Sequence, residues 1–74
     1  MIFEKIKEII QDELGFEAEG LTPESTLEDM GVDSLDAVEL IMALEEAYNI
    51  EIPEAEAVNM KSLGNMVSFI EANQ

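Results

Sequence analysis

Ile2, Phe3, Ile6, Ile9, Ile10 and Leu14 recur at spacings of three and four, while Glu4, Lys5, Lys7, Glu8, Gln11 and Asp12 fill the positions between them. At 3.6 residues per turn that pattern makes one apolar stripe on a helix with a wet opposite face. Gly15 stands where a left-handed residue closes such a helix, and Phe16 follows in position to fold back on the last turn. The same spacing returns near the end of the chain in Leu63, Met66, Val67 and Ile70, behind Ser62 as an N-cap. Between them, residues 34–48 read as the longest apolar-rich helix, opened by Asp33 with Asp36 three residues on in a capping-box arrangement. Pro53 disfavours a helical Ile52 but begins a helix well, so a short third helix is expected from Glu54 to about Asn59. Residues 16–33 lack sustained periodicity and form a long connection, pegged by Phe16, Leu21, Leu27, Met30 and Val32, with room for a helical turn near Pro23 to Asp29. The expected fold is an all-α, small four-helix bundle, three main helices plus one short one, with a long loop between the first two. It is read as a single domain over residues 1–74, with no internal repeat.

Size and composition then remove whole classes of function. A chain of 74 residues buries only about 60% of its unfolded surface, too little for a deep catalytic cleft. There is no Cys and no His, hence no disulfide framework, no thiolate or imidazole metal site, and no Ser-His or Cys-His nucleophile pair. Asp33 and Asp36 lie close in sequence, but a surface helix offers no environment to push two carboxyl pKa values apart. Asp29, Gly31, Asp33 and Asp36 also miss the spacing of an EF-hand loop. The chain is therefore not expected to be an enzyme. Its 18 Asp and Glu against Lys5, Lys7 and Lys61 give a net charge of -15, which repels nucleic acid and anionic membranes but speeds capture by basic proteins, more strongly at low salt. Met1 to Lys5 run straight into the first amphipathic pattern, and no apolar run reaches membrane-spanning length. A cytoplasmic monomer that does not insert into membranes is expected.

The helix over 34–48 carries two apolar faces. At about 100° per residue, Ala37, Leu40, Ile41, Leu44, Ala47 and Tyr48 share one arc and should face the bundle. Leu35, Val38 and Met42 fall on the far side among Glu39, Glu45 and Glu46, where a chain this small must leave them exposed. Apolar spots in an acidic surround suit transient docking: charge steers the encounter, and an adaptable Met tolerates several partners.

The run Leu27-Glu28-Asp29-Met30-Gly31-Val32-Asp33-Ser34-Leu35-Asp36-Ala37-Val38-Glu39-Leu40 closely resembles the modification motif of acyl carrier proteins, whose core is Gly-x-Asp-Ser-Leu. The likeness continues through Met42-Ala43-Leu44-Glu45-Glu46 and Ile50-Glu51-Ile52-Pro53, and the helix order matches throughout. The resemblance implies that Ser34 carries 4'-phosphopantetheine, transferred from coenzyme A by a holo-carrier-protein synthase, and that the arm's thiol bears the acyl chain as a thioester. A chain without cysteine would then import the thiol it needs. The resemblance further implies that Asp33, Leu35, Asp36, Val38, Glu39, Met42 and Glu46 form the face read by partner enzymes with basic patches. It also places an acyl pocket among Leu40, Leu44, Ile52, Ala57, Met60 and Leu63. Asp36, Glu39 and Glu45-Glu46 favour a carrier of fatty-acid synthesis over the polyketide, peptidyl and D-alanyl types; an unmodified acidic interaction module is the reading from outside the carrier class. Lys61-Ser62-Leu63 departs from the Thr-Val common before the last helix, and Gly64 within that helix should cost up to about 1 kcal/mol relative to Ala.

Overall fold

A computed structural model describes residues 2–17 and 19–74, so Met1 at the chain start and Ala18 in the long connection lie outside the described residues. Four helices follow in order: α1 (Ile2–Leu14), α2 (Ser34–Tyr48), α3 (Glu54–Ala57) and α4 (Leu63–Ala72). The α1 stripe puts Ile6, Ile9 and Ile10 into the core, where α1 packs against both α2 and α4. Leu40 and Leu44 enter from α2, and Leu63, Met66 and Ile70 from α4. Ile52 and Met60, on either side of α3, close the core. Gly15 takes φ 75° and its N–H donates to the Gln11 carbonyl at 3.0 Å, ending α1 as expected, with Phe16 packed against the core.

Four features differ from the sequence reading. The Pro23 to Asp29 segment forms turns and not a helical turn, because its backbone is committed elsewhere. Gly64 N–H donates to the Pro23 carbonyl at 2.8 Å, Leu63 N–H to Ser25 at 3.0 Å, and Leu27 N–H to the Lys61 carbonyl at 3.0 Å. An isolated antiparallel bridge pairs Thr26 with Ser62 at the same seam. The loop is thus sewn to the start of α4. Second, α3 stops at Ala57, short of Asn59. Third, Ala47 is exposed although the wheel aims it at the bundle: with Ala43, Lys5 and Ile9 it lines a shallow groove between α1 and α2, and a lone methyl cannot fill that gap. Ala43 packs on the core instead. Fourth, the Asp33 carboxylate accepts the Asp36 N–H at 2.8 Å, but among the described residues no bond returns from Asp36, whose side chain is one methylene shorter than the Glu a capping box uses. The complete capping box belongs to α4, where Ser62 Oγ accepts the Asn65 N–H and Asn65 accepts the Ser62 N–H.

Candidate functional site

Ser34 is the first residue of α2, and the chain is shaped on both sides to present it. Upstream, Gly31 adopts φ 76° and its N–H donates to the Glu28 carbonyl at 3.0 Å, while Val32 N–H donates to Leu27 at 2.9 Å. This turn delivers Asp33 in an extended conformation, φ -86° and ψ 179°, as the N-cap. Downstream, Ala37 N–H donates to the Asp33 carbonyl at 2.9 Å and starts the helical ladder. Ser34 is exposed, and among the described residues its hydroxyl makes no hydrogen bond to a side chain. The cap is made by Asp33, which leaves the Ser34 hydroxyl available for chemistry.

An apolar cleft of about 440 Å³ opens beside it. Ser34, Ala37, Val38, Ile41 and Met42 of α2 form one wall; Glu54, Ala57 and Val58, in and just after α3, form the other, with Leu27, Ile52 and Met60 completing the lining. Of the pocket residues expected from sequence, Ile52, Ala57 and Met60 line this cleft. Leu40, Leu44 and Leu63 do not: each is fully buried among the core residues behind it. The rest of the lining, including Leu27, Ala37, Val38, Ile41, Met42 and Val58, was not expected in a pocket from sequence, and it is assembled from α2, the α3 region and the long loop, segments distant from one another along the chain.

The residues expected to form a docking face lie largely at the surface. Leu35, Val38 and Met42 are 71%, 54% and 59% exposed, and Val58 from beyond α3 joins them at 63%. Asp33, Glu39 and Glu46 are exposed and Asp36 half-buried, so acids surround the apolar patch. Glu45 stands apart: its carboxylate turns back to accept the Ile52 N–H at 2.7 Å. Among the described residues no group of three or more acids gathers closely enough to hold a metal ion, and no helix is long and apolar enough to cross a membrane.

The exposed hydroxyl, the helix start and the adjoining cleft fit a phosphate-linked group on Ser34. The first amides of α2 have no intrahelical acceptors, and the N-terminal end of a helix favours negative charge. Comparison with known proteins agrees in kind: residues 4–70 match the family described as the phosphopantetheine attachment site. The chain is 51% identical to the acyl carrier protein of Clostridium acetobutylicum, an alignment covering 99% of this chain and 96% of that one. It is 49% identical to the acyl carrier protein of Wolinella succinogenes, covering 99% and 97% respectively.

Proposed function

This chain belongs to the acyl carrier protein family, and from that membership we propose that Ser34 is its attachment residue and fatty-acid synthesis its pathway. The protein carries acyl groups, and its cofactor is 4'-phosphopantetheine. When attached, that group supplies a terminal thiol on which an acyl chain is held as a thioester. The observation that carries the assignment of Ser34 is its position: an exposed hydroxyl at the first residue of α2, on the rim of the apolar cleft.

The chain's own residues then divide the work. Asp33 caps α2 and keeps the Ser34 hydroxyl free of that duty. Leu35, Val38 and Met42 offer partner enzymes an apolar contact, with Asp33, Asp36, Glu39 and Glu46 steering basic surfaces toward it. Ile52, Ala57, Met60 and Val58 give an acyl chain borne near Ser34 an apolar wall to leave water against. The protein is a carrier without catalysis of its own, a single carrier domain working in the cytoplasm with a holo-carrier-protein synthase and the enzymes of chain elongation. Intact-protein mass spectrometry after incubation with coenzyme A and such a synthase tests the attachment site. Wild type gains one phosphopantetheinyl mass and Ser34→Ala gains none; a gain that survives in the variant would move the arm to another residue.

A further inference from the structure

Glu45 organises the end of α2 in a way that neither partner docking nor Ser34 requires. Its carbonyl accepts the N–H groups of Asn49 and Ile50, and its half-buried carboxylate accepts the N–H of Ile52 at 2.7 Å. Ile52 is 6% exposed, lines the cleft, and leads directly into α3. We infer that Glu45 is a positioning residue that holds the α3 wall of the apolar cleft in place near α2 and thereby sets how readily the cleft widens to admit an acyl chain. This rests on the reading of the cleft as the place where the cargo leaves water.

The wall is weak by construction. It is a four-residue helix with no buried residue, strung between the anchors Ile52 and Met60. The Met60 end is tied to the long loop by main chain, through Leu27 N–H to the Lys61 carbonyl and the Thr26–Ser62 bridge. At the Ile52 end, Pro53 has no N–H to give, and the amides of Glu56 and Ala57 turn inward to the Pro53 carbonyl. Among the described residues, the Glu45 carboxylate is the only side chain that hydrogen-bonds this end of the wall to α2. A bond to a charged acceptor is strong, yet breaking one costs less than unfolding the core, so the wall swings at Ile52 as a local opening. An apolar ligand that needs the open state binds with an apparent affinity proportional to the open fraction.

The test uses the unmodified protein and two variants, Glu45→Met, which keeps the bulk and removes the acceptor, and Glu45→Gln, which keeps an acceptor oxygen. Amide exchange is followed by NMR, and the uncharged fluorophore N-phenyl-1-naphthylamine serves as the apolar probe. Glu45→Met should speed exchange at Ile52 by about tenfold or more while Leu40 and Leu44 in the core hold their rates. It should tighten probe binding by a similar factor, and Glu45→Gln should restore most of both. Unchanged exchange at Ile52, or acceleration spread evenly through the core, overturns the clasp. Faster exchange at Ile52 with probe binding unchanged also overturns it, because opening would then not govern entry. Faster exchange with no probe bound by any variant instead removes the cleft as a container, and the gate with it.

Discussion

Asp33 and Gly64 illustrate how one atom decides a residue's role. The Asp33 carboxylate takes the Asp36 amide and spares Ser34 from capping, so Asp33→Ala should cost about 1 kcal/mol, roughly 4–8 °C in melting temperature for a domain of this size. Asp33→Asn keeps a capping oxygen and should hold most of that stability; equal losses in thermal melts of the two would mean that the charge matters and the cap does not. For Gly64, helix propensity alone forecasts a gain on substitution by Ala of up to about 1 kcal/mol. The structure argues the other way. A Cβ at Gly64 would meet the Pro23 carbonyl oxygen at 3.1 Å, and that oxygen already accepts the Gly64 N–H. Since the oxygen is held by the backbone of the sewn loop, Gly64→Ala should lower the melting temperature or leave it unchanged; a rise of several degrees would show that the loop yields freely.

At the scale of elements, spacing made α1, α2 and α4 legible because each buries a stripe that shows at three and four residue intervals. Asp33, Gly15 and Ser62 marked their ends correctly because caps are local chemistry. The Ser34 motif was legible for the same reason, being a contiguous run. What escaped is non-local. Nothing in the order of residues says that Pro23, Ser25 and Leu27 exchange backbone bonds with residues 61–64, nor that Val58 completes an apolar patch begun on α2. Periodicity finds inward residues without telling a filled core, where Leu40, Leu44 and Leu63 lie, from a cleft wall, where Ile52, Ala57 and Met60 lie. Asn65 tests how far the seam holds the elements together. Its Oδ1 accepts the N–H groups of both Lys61 and Ser62, at 3.2 and 3.1 Å. Asn65→Ala should lose about 1 kcal/mol from the α4 start, and faster amide exchange should extend to Leu27 across the seam; a loss confined to α4 would mean that the loop is held by Gly64 and Leu63 alone.

Over the whole molecule, charge is the term that composition announces and packing does not relieve. The folded chain gathers its net charge of -15 within a radius of gyration of 10.9 Å. Two of the three lysines are engaged within α1, Lys7 with Glu4 at 3.3 Å and Lys5 with Glu8 at 3.8 Å. Such pairs at a helix surface contribute little and involve only two of the 18 acids, so most of the acids face one another through water. Unfolding spreads these charges, so their repulsion favours the unfolded state until counterions screen it. Added NaCl should therefore raise the melting temperature, and it should weaken the capture of the basic partners proposed above, since both effects come from screening one field. Millimolar divalent cations should stabilise at lower ionic strength. Because no cluster of acids among the described residues is arranged to ligate an ion, Mg²⁺ and Ca²⁺ at equal concentration should raise the melting temperature to a similar degree, without a saturating step at one equivalent. A sharp preference for one cation would show that surface carboxylates of the folded chain rearrange into a formed site on binding, and a melting temperature that fell with either would show that repulsion does not limit the stability of this fold.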